Sequence, residues 1–202
     1  MSLTGTRVGF ALTGSHCTLS RVLPELERLA AEGAEVTPIL SPAVAFLDTT
    51  YGKAAEWRER IRRLAGREPL TTFQEVEPIG PRRLLDVLVI APCTGNTLAK
   101  LAGAVTDTPV AMAAKAQLRN GRPVVLAIST NDGLGLNARN LGILLAARNI
   151  YFVPFGQDNP HGKPNSLDAD ERLILPAVQA ALEGRQLQPI LVARHRAPAA
   201  GE

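Results

Sequence analysis

Six of the seven residues from Leu84 to Ile90 are aliphatic, broken only by Asp86, and the run passes directly into Ala91-Pro92-Cys93-Thr94-Gly95-Asn96-Thr97. A strand that is apolar on both faces has to be covered on both faces, which calls for a parallel sheet with helices above and below it. Pro92 removes a backbone donor and is expected to end the strand. Thr94, Gly95, Asn96 and Thr97 then bring hydroxyls, an amide and unpaired backbone N–H groups to a helix start, where negative charge is favoured. The same residues also suit an ordinary helix cap.

The alternation of strand and helix extends along the chain. Val8 to Leu12 reads as a first strand, and Leu19, Val22, Leu23, Leu26 and Leu29 fall on one helix face. Gly33 ends that helix. Val36 to Leu40 reads as a second strand, with Pro38 predicting an edge or irregular position. A short helix near Ala43 and a charged helix from Glu56 to Leu64 follow, then a surface connection from Glu68 to Pro81 with room for one short strand. On that count the run before Pro92 is the fourth strand. Helices through Leu101 and from Val110 to Leu118 come next, then a turn at Asn120-Gly121 and a strand from Val124 to Ile128. A helix from Asn137 to Ala147, a last strand from Tyr151 to Phe155 and a final helix from Ala169 to Leu182, bent at Pro176, complete the pattern. Parallel strands need crossovers, so the expected class is α/β with a parallel sheet between helical layers. The whole chain, 1–202, is expected to form a single domain, with residues 193–202 as a flexible tail.

Composition narrows the function classes. No stretch approaches a membrane span, and Val8 to Leu12 is too brief for a secretory signal core, so a cytoplasmic chain is expected. Cys17 and Cys93 lack CxxC or Cys/His spacing, which argues against a metal site and a disulfide framework; both are expected to be reduced. Net charge is +3 and aromatic residues make up 4% of the chain. The basic residues are scattered apart from Arg58, Arg60, Arg62 and Arg63 and the segment Arg194-His195-Arg196, so a nucleic-acid face is not expected.

Ligands of open parallel sheets bind beyond the carboxyl ends of the strands. Four such ends carry small polar residues here: Thr13-Gly14-Ser15-His16-Cys17-Thr18, Ser41-Pro42, the Pro92 to Thr97 turn, and Ser129-Thr130-Asn131-Asp132-Gly133. One shared crevice explains this better than four independent caps. Gly14 stands alone where a dinucleotide fingerprint needs three glycines, and no Walker sequence is present. A mononucleotide fits better, its terminal phosphate met by Gly14, Ser15 and the following N–H groups and its ring reaching the Pro92 to Thr97 turn. FMN has that shape.

The strings APCTGNTLAKLAGAVTD and TGSHCT resemble the homo-oligomeric flavin-containing cysteine decarboxylases and their relatives, among them the prenyltransferases that build prenylated flavin. The resemblance runs almost end to end. It implies a flavodoxin-like (Rossmann-like) three-layer fold, assembly into trimers or larger oligomers, and FMN in a crevice shared between subunits. It places Gly14, Ser15, Ser41, Thr94, Asn96 and Ser129 at flavin-contacting positions, and His16, Pro92 and Cys93 complete the expected cofactor-binding set. The longer strings APCTGNTLAKLAGAVTDTPVAMAAKAQLRN, ISTNDGLGLNARNLGILLAARNIYFVPFGQD and KPNSL resemble a branch from spore-forming bacteria. In that branch a second subunit carries the nicotinamide nucleotide, NAD(P), and the pair oxidises a cyclic dihydro-diacid to an aromatic diacid. The departures bear on mechanism. The decarboxylases have Pro-Ala-Ser-Ala-Asn-Thr where this chain has Pro92 to Thr97, an active-site histidine that has no counterpart between His16 and His161, and Pro-Asn-Met-Asn where this chain has Ser129 to Asp132. Cysteine decarboxylation is therefore the weaker reading.

His16, Cys93 and Asn131 are the candidate catalytic residues. Cys93 sits beside a helix start that would lower its pKa, or else packs as a small apolar residue. His16 is read either as a phosphate contact or acid/base, or as a cap facing solvent. Asn131 and Asp132 either bind substrate or form an Asn-Asp-Gly turn. His161, Lys163, Asn165 and Ser166 either close over an anionic diacid or form a plain connection, and Arg58 to Arg63 is either a solvated face or a docking surface for the partner.

Overall fold

In the computed structural model, which describes residues 2–193, β1 (Arg7–Leu12), β2 (Glu35–Leu40), β3 (Val87–Cys93) and β4 (Val124–Thr130) lie side by side in the order β2-β1-β3-β4, all parallel. Every residue of β3 is buried, as its unbroken apolar pattern requires. Helix α1 (His16–Ala31) buries Leu19, Val22, Leu23, Leu26 and Leu29 and packs with α9 (Ile174–Leu182) over β3. Helix α7 (Pro109–Arg119) also covers β3, and α6 (Gly95–Ala102) and two short helices, α4 (Phe73–Val76) and α5 (Ile79–Arg82), pack against α7. The remaining helices are α2 (Pro42–Phe46), α3 (Ala54–Ala65) and α8 (Asn137–Leu145). The result is the expected three-layer, flavodoxin-like arrangement.

Pro38 lies in β2 at the sheet margin, where its missing donor costs no ladder bond; its carbonyl accepts from Leu70 N at 2.9 Å. The segment from Glu68 to Pro81 supplies only that bridge and the helices α4 and α5, so β3 is the third strand and not the fourth. Nor does Pro92 end it: β3 runs on to Cys93 because its pairing with β4 shifts register between Ile90 and Cys93, which leaves the proline out of the ladder.

The sheet is also mixed rather than wholly parallel. The predicted strand from Tyr151 to Phe155 divides into β5 (Ile150–Phe152), parallel to the start of β4, and β6 (Phe155–Gly156). A further strand, β7 (Leu167–Ala169), runs antiparallel to both β6 and the far end of β4. Seven residues of β4 are long enough to serve β5 with one half and β7 with the other. The final helix starts later than its sequence suggests. Residues Glu171–Leu173 form a 3-10 turn, and Pro176 falls in the first turn of α9, where no intrahelical N–H is needed. The carbonyl it would otherwise engage, that of Arg172, accepts from the Arg28 guanidinium at 3.2 Å. The expected tail, 193–202, with Arg194, His195 and Arg196, lies outside the described residues except for residue 193.

Asp86, the lone charge in the apolar run, ties the entering ends of the strands. It accepts from Arg7 N at 2.9 Å, Arg7 Nε at 3.0 Å and Arg7 Nη2 at 2.7 Å, and from Arg122 Nη1 at 2.5 Å. Hydrogen bonds from the Arg7 guanidinium hold its carboxyl well below the usual carboxylate range, against the opposing effect of burial. A depressed folded-state pKa adds stability that is fully present above the unfolded carboxylate value of about 3.9 and is lost as pH falls toward the lower folded value. Asp86→Asn is therefore expected to lower stability by about 2 kcal/mol at pH 7. In urea unfolding, the gap to wild type should narrow steadily below about pH 4.

Candidate functional site

Because β1, β3 and β4 are parallel and adjacent, their carboxyl ends open on one edge of the sheet, and a buried hydroxyl joins two of them. Thr13 Oγ1 donates to the Pro92 carbonyl at 2.6 Å and accepts from Thr94 N at 3.1 Å. Thr94 caps α6, its Oγ1 accepting from Thr97 N at 3.3 Å. The third end is drawn in by a glycine: a Cβ on Gly95 would stand 2.6 Å from Thr130 Oγ1 and 2.8 Å from Asn137 Nδ2. Ser15, Thr18 and Ser129 form a triangle of hydroxyls, with Ser15–Thr18 at 2.9 Å, Thr18–Ser129 at 3.0 Å and Ser15–Ser129 at 3.3 Å.

Two hollows lie against this framework and share Gly14 and Thr94. The first, about 450 Å³, is bounded by Thr13, Ser41, Ala43, Asn96 and Lys100. The second, about 550 Å³, is bounded by Ser15, Arg21, Ser129, Asn131, Asp158 and Lys163. Of the residues singled out in the sequence, Gly14, Ser41, Thr94 and Asn96 thus meet at the first hollow, and Gly14, Ser15, Thr94, Ser129 and Asn131 at the second. His16, Pro92 and Cys93 bound neither. His16 Nδ1 donates to the Gly14 carbonyl at 3.1 Å, and its Nε2 is buried without a partner among the described residues. Pro92 contributes its carbonyl to Thr13.

Cys93 is fully buried, and burial pushes its thiol up to about 12, the opposite of the lowering expected beside a helix start. Its side chain belongs to the apolar core. Asp132 acts as the turn residue: its carboxylate accepts from Leu136 N at 3.2 Å, Asn137 N at 3.3 Å and Asn137 Nδ2 at 3.1 Å, securing the entry to α8. Asn131 accepts from Ser166 Oγ at 3.4 Å. Among the Arg58 to Arg63 run, Arg62 pairs with Glu59 at 2.7 Å, and the Arg60 guanidinium stands 5.8 Å from the Trp57 ring centroid.

The residues present fit a phosphorylated ring compound. Ser15 is the N-cap of the 16-residue α1, but its side chain caps no first-turn amide; Thr18 N donates to the Ser15 carbonyl at 2.9 Å, which leaves the His16 and Cys17 amides for an anion. Gly14 leaves room there; a Cβ would approach the Ala43 Cβ to 3.0 Å. Ser41 Oγ, at the first hollow, is buried without a partner among the described residues, a hydroxyl for which an incoming polar group would compensate.

Arg21, Asp158 and Asp168, none marked by sequence reasoning, also border the second hollow. Arg21 Nη2 pairs with Asp168 at 2.9 Å and Glu171 at 3.0 Å, linking α1 to β7 and the 3-10 turn. The helical spacing of Ser15, Thr18 and Arg21 could have revealed one polar edge of α1, whereas Asp158 and Asp168 depend on the antiparallel return of β7, which no local pattern announces.

Fold and site together define a class, and the chain belongs to the flavoprotein family, whose sequence model (Flavoprotein) matches residues 1–155. The chain is 52% identical over 195 residues to the B subunit of dipicolinate synthase from Bacillus subtilis (strain 168), covering 96% of this chain and 98% of that protein. The crystal structure of the dipicolinate synthase B subunit from Bacillus halodurans superposes with a TM-score of 0.89 at 50% identity, over 96% of this chain and all (100%) of the other. The FMN-dependent cysteine decarboxylase SpaF, 21% identical, shares the fold with a TM-score of 0.64 over 90% of this chain and 97% of its own.

Two outcomes check this geometry. Of the two cysteines, only the exposed Cys17 should react with dithiobisnitrobenzoate in the folded protein at pH 8, and both should react in denaturant. Gly95→Ala should lower stability by about 1–3 kcal/mol in chemical denaturation despite alanine's better helix propensity, because the added methyl overlaps Thr130 and Asn137.

Proposed function

We propose that the chain is the flavoprotein-type component of a dipicolinate synthase, acting with a second subunit that carries NAD(P) to oxidise dihydrodipicolinate to dipicolinate. The observation that carries the reading is the pair of adjoining hollows at the strand ends, one suited to a phosphorylated ring and the other to a small polar substrate, in a chain so similar to the B subunit of dipicolinate synthase. FMN is the proposed occupant of the first hollow and its α1 border. When bound, it would supply a two-electron acceptor. Gly14, Ser15 and the α1 amides would hold the phosphate, Ser41 would give its unpaired hydroxyl, and Thr94 and Asn96 would border the ring. Lys100, which also borders this hollow, is paired with Asp107, its Nζ 2.6 Å from the carboxylate.

In the proposed setting the protein is a single domain assembled as a trimer or larger homo-oligomer in the cytoplasm of a spore-forming cell; no helix among the described residues is long and apolar enough to cross a membrane. A second reading, a scaffold that stabilises the partner without flavin, draws on the Thr94 hydroxyl and amide being already engaged by Thr97 and Thr13.

Spectroscopy separates the two. Protein incubated with FMN and desalted should be yellow and release flavin on denaturation, and Ser41→Val should weaken FMN binding about tenfold, the loss of one hydrogen bond. A colourless protein whose addition nevertheless enables the partner to oxidise dihydrodipicolinate would establish the scaffold reading.

A further inference from the structure

The loop between β6 and β7 presents a carboxylate and an ammonium to the second hollow, Asp158 and Lys163. It is held by its own bonds: Gly162 N donates to Asn159 Oδ1 at 2.8 Å, Lys163 N to the Asn159 carbonyl at 2.8 Å, and Gln157 Nε2 to the Pro164 carbonyl at 2.8 Å. Ser166, bonded to Asn131, fastens the loop to the end of β4. Asp158 Oδ1 is buried and has no hydrogen-bond partner among the described residues. An unmet carboxylate oxygen bordering a cavity is costly to keep and is commonly explained by a ligand or by chemistry. Arg21, across the same hollow, has Nε and Nη1 buried without acceptors, while its Nη2 is committed to Asp168 and Glu171.

We propose that Asp158 is the proton acceptor for a small cyclic acid bound in the second hollow, with Lys163 receiving one of its carboxylates. The assignment rests on the function proposed above and adds the residue that takes the proton. Aromatisation of a dihydro ring breaks two C–H bonds. One hydrogen leaves as hydride, and its electron pair ends on an oxidised nicotinamide nucleotide carried by the partner, which is reduced. The other leaves as a proton to Asp158 Oδ1, its bonding pair becoming a ring π bond, and the new carboxyl O–H later yields its proton to water. The sum is dihydro-diacid plus oxidised nucleotide giving diacid, reduced nucleotide and one proton.

Other groups around the hollow are less suited. Asp168 is already engaged by the Arg21 guanidinium at 2.9 Å. The hydroxyls of Ser15, Thr18 and Ser129 engage one another and are poor bases. His16 borders neither hollow.

The test uses the assembled two-component enzyme and, as a separate readout, calorimetric titration of this chain with pyridine-2,6-dicarboxylate. Asp158→Asn should lower kcat about a hundredfold or more, while the diacid binds as tightly as to wild type or more tightly, since a negative charge has been removed. Lys163→Ala should raise KM and weaken diacid binding, each about tenfold, as expected for one charge-assisted contact. A wild-type pair that oxidises dihydrodipicolinate alongside an Asp158→Asn pair with kcat within threefold of it would overturn the proton-acceptor assignment alone. A kcat loss matched by an equal loss of diacid binding would overturn it too, since Asp158 would then only bind. A wild-type pair without oxidase activity would strike the functional reading itself.

Discussion

The crevice depends on one buried hydroxyl. Thr13 Oγ1 spans the gap between the turn after β1 and the turn after β3, donating to Pro92 and accepting from Thr94 N. Parallel strands bring these turns close, but adjacency alone would leave their backbone groups unpaired in a nearly dry environment. With that bond made, Thr94 is fixed as the cap of α6, and Gly14 and Thr94 become the common wall of both hollows. Valine in place of Thr13 would keep the shape and remove both bonds, leaving a buried carbonyl and a buried N–H to find other partners.

The sheet is secured differently at its two edges. At the entering edge, Asp86 joins β1 to Arg122 and the segment leading into β4 through charge-assisted bonds. At the opposite edge, neutral hydroxyls and a glycine contact make the joins, and the charges stand further out, on Arg21, Asp158 and Lys163. The turns themselves present amides and hydroxyls to a ligand, which suits an anion at the start of α1, while the Arg21–Asp168 ion pair lines the neighbouring side of the second hollow.

The strand and helix alternation was legible because both faces of the sheet are covered: β3 and β4 read as buried runs and α1 as a single apolar face. The placement of Gly14, Ser41, Thr94 and Ser129 along one edge was legible for the same reason, since a parallel sheet puts its carboxyl ends together; their division between two hollows, Ser41 at the first and Ser129 at the second, was not. Pro92 misled because a register shift within β3 absorbs it, and such a shift is a property of the pairing with β4, not of the local residues. Cys93 misled because proximity in sequence to a helix start does not set the direction in which a side chain points. The antiparallel return through β7 was missed because three residues, Leu167–Ala169, carry too little periodicity to be read. Asp158 and Asp168 went unmarked with it.

That return matters beyond topology. A purely parallel sheet would leave the end of β4 open, with Ser129 and Asn131 facing solvent. Pairing β7 with Ser129 and Thr130 closes that side, and the chain between β6 and β7 then has to cross over the strand ends. The loop therefore brings its polar residues to the crevice as a consequence of the sheet's own closure. A flavodoxin-like scaffold with a mononucleotide-sized hollow gains in this way a second, separately built wall, whose chemistry can vary without disturbing the turns that face the first. No glycine-rich fingerprint follows β1, and the proposed final electron acceptor is therefore assigned to a partner approaching the second hollow.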